Sequence, residues 1–338
     1  MRKEKMQDWE KRERRQMKKK YSINFRCKTM TIVNDLPHNK TVIIVCGPTA
    51  AGKTAVAISL AKHFNTEIIS ADSRQCFKEL NIGVARPSEE ELKEVPHHFI
   101  ASHSITQNVN AVVFEQYALQ KVNELFQKHD HVIMVGGTGL YIKAFCGGLD
   151  EIPSVDETIR KKIIANYEAN GLSWLQNEVS SKDPRFYRLG EIQNPQRLMR
   201  ALEVIESTGQ SILDFRKNEK TKRDFRIIKI GVELPKEALH RNINARVDEM
   251  IEQGLNDEVR SLIPYRHLNA LQTVGYSELF EYIDGKISFD KAIEKIKTNT
   301  RQYARRQLTW FSKDKEINWF LGEQLDRMIA YGSKWQEL

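Results

Sequence analysis

An eight-residue segment near the start of the apolar part of the chain most constrains what this sequence can form. It matches the pattern GxxxxGK[ST] and consists of Gly47, Pro48, Thr49, Ala50, Ala51, Gly52, Lys53 and Thr54. It follows the β-branched run TVIIVC and precedes a segment with helical spacing, which is the context that a phosphate-binding loop requires. The glycines let successive N–H groups surround a phosphate, the helix N-terminus adds positive charge, and Lys53 supplies a point charge. The segment therefore predicts a phosphate site, but it does not specify the phosphate compound.

Strand-like and helix-like segments alternate around this loop. The strand-like segments are apolar and rich in β-branched residues, and they comprise 41–47, 66–72, 131–141 and 226–234. Residues 114–129 have helical spacing instead. This alternation predicts an α/β fold, a P-loop doubly wound parallel sheet that binds its ligands at the carboxyl ends of the strands. After residue 234 we expect helices to fill the rest of the chain.

The chain is expected to have three parts, and its charge is uneven between them. We predict a basic, disordered N-terminal extension (1–40), a P-loop core (41–150 and 223–338) and, where helical spacing replaces strand patterns, a helical insertion domain (151–222). The net charge of +8 lies entirely within residues 1–28, so the remainder of the chain has no net charge. A polyanion site on that remainder therefore requires local clustering of basic residues. The extension is either a nucleic-acid-binding arm or a solvated tail without function.

The cysteines and the apolar runs exclude several classes of protein. The four cysteines, Cys27, Cys46, Cys76 and Cys146, form no CxxC pair, which argues against a disulfide framework or a zinc ribbon. No run approaches the roughly 18 apolar residues that span a bilayer, and the N-terminus has no apolar signal core. These features predict a cytoplasmic protein that does not associate with a membrane.

The strand that usually supplies an acidic residue to a P-loop ATPase does not do so here. The run HVIMV ends in Gly136-Gly137-Thr138, which disfavours a motor or switch NTPase. Asp72, at the end of the 66–72 strand, becomes the main acidic group near the phosphates. Because neighbouring strand ends converge in a doubly wound sheet, we expect Asp72 and Thr138 to face each other across one crevice. The alternatives are a helix cap for Asp72 and turn chemistry for Thr138.

Eight blocks along the chain resemble the tRNA dimethylallyltransferases, also called tRNA isopentenyltransferases, in their bacterial form. They occur in family order over about residues 41–320: GPTAAGKT, SADSRQCF, NIGVARP with VPHHFI, VGGTGLY, NPQRLMRALE, RVDEMIEQGL, LQTVGYSEL and RQYARRQLTWF. The resemblance implies transfer of a dimethylallyl group from its diphosphate to N6 of the adenosine on the 3′ side of a tRNA anticodon, with release of diphosphate. It also implies Mg²⁺ as the cofactor, with Thr54 as its ligand.

The resemblance assigns roles to individual residues. Asp72 corresponds to the base that takes a proton from N6, Thr138 to the group that holds the same amino nitrogen, and Lys53 to a group that stabilises diphosphate. The loop residues from Gly47 to Thr54, together with Arg246, would bind the prenyl diphosphate. For Arg246 a surface ion pair is the alternative. Asn242 stands where the family more often has arginine.

The resemblance also implies a set of contacts to the tRNA anticodon stem-loop. These residues are Asp72, Ser73, Arg74, Gln75, Thr138, Arg160, Gln196, Arg197, Leu198, Met199, Arg200, Thr273, Val274, Gly275, Tyr276, Ser277 and Glu278. Gln75 is expected to read an adenine edge, and core packing is an equal alternative for residues 273–278. Tyr303, Leu308 and Trp310 are expected to pack the C-terminal helix, and we expect a monomer.

Other functions stay open on the sequence alone. An adenylate isopentenyltransferase would modify free nucleotides, although it would have no need for the 194–203 block. A P-loop small-molecule kinase would use Asp72 to hold an acceptor hydroxyl. A non-enzymatic RNA-binding protein would rely on the basic N-terminal arm.

Overall fold

Six strands form one sheet in the part of the chain that the computed structural model describes, residues 40–217 and 219–333. The strands are β1 (Thr41–Cys46), β2 (Ile68–Ser70), β3 (His97–His98), β4 (His131–Gly136), β5 (Arg226–Glu233) and β6 (Ile317–Leu321). Their spatial order is β3-β2-β4-β1-β5-β6, and all neighbouring pairs are parallel. The predicted α/β fold with a doubly wound parallel sheet is confirmed. The predicted N-terminal extension lies outside the described residues, apart from residue 40.

Twelve α-helices connect and follow these strands within the described residues. They are α1 (Lys53–His63), α2 (Glu89–Glu94), α3 (Ala111–Leu125), α4 (Gly139–Gly147), α5 (Glu157–Lys182), α6 (Pro184–Leu189), α7 (Pro195–Thr208), α8 (Lys236–Glu252), α9 (Leu255–Ser261), α10 (Tyr276–Ile283), α11 (Phe289–Phe311) and α12 (Leu325–Ser333). Two short 3₁₀ helices, Ile263–Tyr265 and Asn269–Leu271, lie between α9 and α10. In this same part of the chain, no helix combines the length and the apolar character needed to cross a membrane.

The central strands of the sheet are its most completely buried part. Strands β1 and β4 are buried at every position, which explains why each is a continuous apolar run rather than an alternating one. Helix α1 packs Val56, Ala57 and Leu60 into the main hydrophobic cluster with residues of β1, β4 and β5. The phosphate-binding segment is therefore attached to strands that are buried along their whole length.

The strand register brings three loops to the same level. Cys46, the last residue of β1, is paired with Gly136 at the end of β4 and with Gly231 in β5. Ser70, the last residue of β2, is paired with Val135. Because the strands are parallel, the segments that follow β1, β2 and β4 leave the sheet at one edge, where doubly wound sheets bind their ligands.

The sequence patterns missed two strands and misplaced several boundaries. The expectation that helices fill the chain after residue 234 is wrong, because β6 pairs with β5 at the edge of the sheet. This edge strand has five residues and is buried only at Ile317 and Phe320, a spacing that does not distinguish a strand from a helix. Strand β3 has only two residues, too few for any pattern. The expected strand at 131–141 ends at Gly136, and α4 begins at Gly139.

Helices α5, α6 and α7 surround a hydrophobic cluster of their own. Its buried members include Ile163, Leu175, Phe186 and Leu202. Among the described residues from 151 to 222 there is no strand. Proline occupies the first turn of both α6 and α7, where its missing N–H costs nothing. The helices belong to the same compact unit as the sheet, so the proposed domain division stays a prediction.

Candidate functional site

The segment after β1 has the backbone of an anion cradle. Gly47 (φ 138°) lies so close to β5 that a Cβ there would be 2.4 Å from the Val232 carbonyl oxygen. Ala50 (φ 62°) and Gly52 (φ 85°) both adopt left-handed conformations, which turn neighbouring N–H groups towards one point. Helix α1 has no side-chain cap and no acidic residue in its first turn. Its free N–H groups and partial positive charge therefore suit a phosphate.

Two cations lie at this cradle, as the sequence predicted. Lys53 Nζ donates a hydrogen bond to the Pro48 carbonyl oxygen at 2.7 Å. Burial lowers the pKa of Lys53 to about 8, Asp72 opposes this shift, and Arg246 adds to it. The Arg246 guanidinium donates to Thr49 Oγ1 at 3.4 Å, and burial lowers its pKa too. Arg246 thus contacts the loop itself, which fits the diphosphate role better than a surface ion pair.

Asn242, on helix α8, supports the phosphate-binding loop. Its side-chain amide donates to the Ala50 carbonyl oxygen at 3.2 Å. The sequence comparison treated this position only as a departure from arginine and gave it no role. The structure shows that the shorter side chain binds the loop backbone directly.

The ends of β2 and β4 are joined residue by residue. Ala71 donates its N–H to the Val135 carbonyl at 2.7 Å, and Thr138 donates its N–H to the Ala71 carbonyl at 3.3 Å. The Ser73 N–H then donates to Thr138 Oγ1 at 3.0 Å. A Cβ at Gly136 would be 2.2 Å from the Ala71 carbonyl oxygen, so this approach requires glycine. The expected juxtaposition of the Asp72 and Thr138 segments is confirmed.

Asp72 combines a local structural role with a free oxygen. Its Oδ1 accepts hydrogen bonds from the N–H groups of Arg74 at 2.8 Å and Gln75 at 3.2 Å, so the capping alternative describes this oxygen correctly. Within the described residues Oδ2 accepts no hydrogen bond. Burial raises the pKa of Tyr303 to about 12, and the Asp72 charge adds to that shift. The carboxylate is therefore held in place by one oxygen and presents the other.

Gln75 holds a neighbouring loop rather than presenting its amide. Its Nε2 donates to the carbonyl oxygens of Ala85 at 2.8 Å and Val84 at 3.3 Å, and its Oε1 accepts from Ser70 at 3.2 Å. Both amide hydrogens are thus in use. The expected contact of Gln75 with an adenine edge does not fit this arrangement, since it would require these bonds to break.

The sequence reasoning also missed the residue that anchors this loop, Glu258 on α9. One carboxylate oxygen accepts the N–H groups of Asn81 at 3.1 Å and Ile82 at 2.8 Å. The other accepts the Gly83 N–H at 3.1 Å and the Tyr276 hydroxyl at 2.6 Å. The sequence around Glu258 is typical of an exposed helix and does not predict such a role. The backbone N–H groups that Glu258 accepts belong to residues 81–83, about 180 positions away.

Half of the block at 273–278 is buried inside the protein. Tyr276 is fully buried against Gly83 and Glu258, and both burial and Glu258 raise its pKa. Glu278 is 3% exposed and accepts the Gly275 N–H and an amide hydrogen of Asn299. The burial of Gly275, Tyr276 and Glu278 fits the core-packing alternative at these three positions, and their tRNA contacts stay a prediction. Thr273, Val274 and Ser277 are half-buried.

Several predicted tRNA residues converge in the helical part. Arg160 on α5 and Arg200 on α7 both pair with Glu203, at 3.3 and 3.2 Å, although Glu203 is only 2% exposed. A cavity of about 190 Å³ is lined by both arginines together with Gln196 and Met199. Leu198 is fully buried in the hydrophobic cluster, whereas Met199 belongs to the same cluster and also lines the cavity.

Helix α11 runs along the site, and its side chains there include Tyr303, Gln307 and Trp310, which are spaced by four and then three residues. Tyr303 lies near Asp72, whose charge adds to the burial that raises the pKa of the Tyr303 hydroxyl. Gln307 accepts the Thr49 N–H at 2.8 Å and donates to the Gly137 carbonyl at 2.9 Å. Trp310 covers Gly139 and stays 40% exposed. Of the three residues expected to pack this helix, Leu308 does so against the sheet, whereas Tyr303 and Trp310 face the site and the surface.

The described residues contain no group of three or more His, Cys, Asp or Glu side chains that could hold a metal ion. His97 hydrogen-bonds the Val95 carbonyl, and His98 hydrogen-bonds Glu67, so both order β3 and its surroundings.

Thr54, in the first turn of α1, makes no hydrogen bond through its hydroxyl to the described residues.

A family model described as IPP transferase matches residues 75–314 of the chain. This chain belongs to the IPP transferase family. The tRNA dimethylallyltransferase 1 of Bacteroides thetaiotaomicron is 46% identical over 291 residues, which cover 86% of this chain and 94% of that protein. The tRNA dimethylallyltransferase of Cytophaga hutchinsonii is 49% identical over 293 residues, covering 87% and 96% of the two chains. The family predicted from the sequence blocks is confirmed, and with it the transferase class.

Solved structures agree with this IPP transferase assignment. The full-length tRNA isopentenylpyrophosphate transferase from Bacillus halodurans matches with a TM-score of 0.63 and 32% identity, over 89% of this chain and all of that one. A eukaryotic dimethylallyltransferase acting on tRNA matches with a TM-score of 0.70 over 87% of this chain and 77% of that one. At 24% identity, the second likeness shows the fold alone.

Proposed function

We propose that this IPP transferase family member transfers a dimethylallyl group from dimethylallyl diphosphate to N6 of the adenosine on the 3′ side of a tRNA anticodon, releasing diphosphate. One observation carries the proposal. A phosphate cradle after β1 and a carboxylate–hydroxyl pair after β2 and β4 open at the same edge of the sheet, which supplies a donor subsite and an acceptor subsite side by side. The relatives at 46% and 49% identity are named tRNA dimethylallyltransferases, which supports the proposed class of reaction and substrate.

The donor subsite suits a leaving diphosphate. When the allylic C–O bond breaks, its electron pair leaves with the diphosphate oxygen, and negative charge grows there. The free N–H groups of α1, together with Lys53 and Arg246, are fixed donors aimed at that charge before the reaction begins. Because the cradle is already formed by the backbone, little reorganisation is needed as the charge develops.

We propose Mg²⁺ as the cofactor, held by Thr54 and by oxygens of the donor diphosphate. The unpaired Thr54 hydroxyl fits such a site, since Mg²⁺ in phosphate sites typically takes few protein ligands and several from substrate and water. When bound, the ion would neutralise part of the charge on the leaving group.

The acceptor subsite suits an aromatic amine, which is a weak nucleophile until it loses a proton. As the N6–carbon bond forms, the free Oδ2 of Asp72 accepts a proton from N6. Thr138 Oγ1 accepts the Ser73 N–H with one lone pair and keeps the other for the second N–H of the amino group. Tyr303 closes the side of the subsite next to Thr138.

The tRNA would be held by exposed basic groups near this edge and on the helical part. Arg74 follows the base directly, and Arg160, Gln196 and Arg200 surround the cavity between α5 and α7. Because N6 is hidden in a stacked anticodon loop, the adenosine must leave the stack to reach Asp72. We also propose that the protein acts as a monomer in the cytoplasm.

The test supplies the purified full-length protein with Mg²⁺ and labelled dimethylallyl diphosphate, together with unmodified tRNA, AMP, ADP or ATP. We expect label only in tRNA, and nucleoside mass spectrometry should place the added dimethylallyl group on adenosine. Label on a free nucleotide would support an adenylate isopentenyltransferase instead. Phosphorylation of an acceptor at the expense of ATP would support a kinase, and either result would overturn the proposal.

A further inference from the structure

A single buried amide connects the two subsites. Gln307 is 5% exposed, and its side chain reaches both loops at the carboxyl edge of the sheet. Oε1 accepts the N–H of Thr49 at 2.8 Å, and Nε2 donates to the carbonyl oxygen of Gly137 at 2.9 Å. Thr49 belongs to the phosphate cradle, and Gly137 immediately precedes Thr138. The carboxamide thus joins the donor side of the site to the acceptor side with one bond to each.

The glycine opposite this amide is a second observation for the same contact. A Cβ on Gly137 would lie 2.1 Å from Nε2 of Gln307, with no other atom closer than 3.3 Å. The backbone of Gly137 is not in the left-handed region, so alanine could adopt its conformation. Only the far end of the Gln307 side chain therefore excludes a methyl group at residue 137.

The contacts around Gln307 indicate that it sets the distance between the loops that follow β1 and β4, and that it does more than fill space in the core. Arg246 and Asn242 already support the cradle from α8, through Thr49 Oγ1 and the Ala50 carbonyl. Neither reaches the segment after β4. Tyr303 lies one helical turn before Gln307 on α11, close enough to the acceptor side for the Asp72 charge to raise its pKa. One helix therefore touches both loops, and Gln307 is the residue on it that hydrogen-bonds both backbones.

We propose that Gln307 is a positioning residue that sets the distance between the diphosphate cradle and the Thr138 segment, and so between the reacting carbon and the accepting nitrogen. This inference rests on the proposed function, because it assigns donor and acceptor to the two loops. Misplacement of reacting groups by about 1 Å typically costs about 10²-fold in rate. A glutamine suits the position because one planar group both accepts an N–H and donates to a carbonyl.

The first test replaces Gln307 by alanine, leucine or glutamate in the full-length protein. Glutamate keeps an acceptor for Thr49 but places an oxygen against the Gly137 carbonyl. We expect kcat for prenyl transfer to fall about 10²-fold in each variant, while KM for tRNA changes by less than about two-fold. Gln302→Ala, at an exposed position of the same helix, is the matched control and should retain normal activity. Normal kcat in Gln307→Leu would overturn the proposal.

The second test uses the glycine. Gly137→Ala should displace the Gln307 amide and lower kcat to a similar degree. In the double variant Gly137→Ala with Gln307→Ala, the methyl group fills space that the shortened side chain has left. The double variant should therefore be no slower than Gln307→Ala alone, a strongly non-additive result. Fully additive losses would show that the two residues act independently and would contradict the proposal.

The third test does not depend on prenyl transfer. Calorimetry with inorganic diphosphate and Mg²⁺ compares the wild-type protein with Gln307→Ala and Gln302→Ala. We expect weaker diphosphate binding only in Gln307→Ala, by about five- to ten-fold, because Thr49 loses its partner. Unchanged or tighter binding would overturn the inference. If the wild-type protein fails to prenylate tRNA but this difference is found, the proposed function fails while the positioning role of Gln307 stands.

Discussion

The donor and acceptor sides of the site are built in different ways. The phosphate cradle is formed by consecutive residues, whose left-handed positions at Ala50 and Gly52 follow from local sequence. The acceptor side is assembled from distant segments: Thr138 binds Ser73, and Glu258 binds the 81–83 backbone. A contiguous motif therefore describes the backbone of the first side, although Asn242, Arg246 and Gln307 bind it from distant helices. The second side depends on long-range hydrogen bonds, and its single residues should be more individually sensitive.

The largest expected effect tests the acceptor side. Asp72→Asn should lower kcat about 10³-fold, because the amide cannot take the N6 proton. Its Oδ1 can still accept the N–H groups of Arg74 and Gln75, so the local turn should survive. Single-turnover prenyl transfer measures the rate, and filter binding should show tRNA affinity within about two-fold. Asp257→Asn, at an exposed position, is the control, and a near-normal rate in Asp72→Asn would remove the residue's role as base.

A smaller loss is expected on the donor side. Lys53→Ala should reduce kcat/KM for dimethylallyl diphosphate about 10²-fold, since one of several fixed donors to the leaving group is lost. The backbone cradle would remain, so weak diphosphate binding should persist in calorimetry. Lys62→Ala, on the same helix but paired with Glu94 at the surface, should have no effect. Complete abolition of diphosphate binding by Lys53→Ala would argue that the cradle backbone contributes nothing by itself.

Glu258 offers a further test of the difference between the donor and acceptor sides, because it contacts neither substrate in the proposed reaction. Glu258→Gln replaces an acceptor oxygen by an amino group that faces backbone N–H donors. We expect the unfolding free energy to fall by about 2 kcal/mol and kcat to fall about ten-fold. Hydrogen exchange should increase at the amides of residues 81–83, and Asp257→Asn should leave it unchanged. Unaltered exchange at 81–83 would contradict the anchoring role.

The smallest effect concerns residues 1–28, which lie outside the described part of the chain. Deleting them removes the entire net charge of +8, so the effect on tRNA binding should depend on salt. We expect about ten-fold weaker binding near 50 mM salt and less than about two-fold near 150 mM. Binding titrations at several salt concentrations measure this. Loss of all activity at physiological salt would show that the segment is essential.

The sequence predicted the fold and the phosphate cradle because both depend on local pattern. Strand β1, the glycine loop and α1 are contiguous, and the chemistry of Lys53 follows from its place in the motif. The segments of Asp72 and Thr138 were correctly expected to lie close, since parallel strand ends must meet. Strand β6 was missed because a five-residue apolar run cannot be distinguished from a buried helical segment by its pattern. The long-range contacts of Gln307 and Glu258, and those of Gln75 with residues 84 and 85, could not be predicted, because a side-chain amide or carboxylate carries no sequence mark of its backbone partner.

The family blocks assign tRNA contacts to whole segments, and the structure separates the residues within those segments by burial. In the 196–200 and 273–278 blocks, buried residues lie next to exposed or half-buried ones. Leu198 and Tyr276 therefore face inward while Arg200 and Ser277 do not. Burial in the structure distinguishes residues that pack inside the protein from residues that are accessible to a ligand. The amino-acid sequence of a block does not make this distinction.

The bond between Thr49 and Gln307 spans 258 positions along the chain. During synthesis the cradle leaves the ribosome early, whereas its partner on α11 is among the last tenth of the residues to be made. A growing polypeptide therefore holds a phosphate loop long before it holds a complete catalytic edge. The loop therefore acquires its contact with Gln307 only after nearly the whole chain has been made.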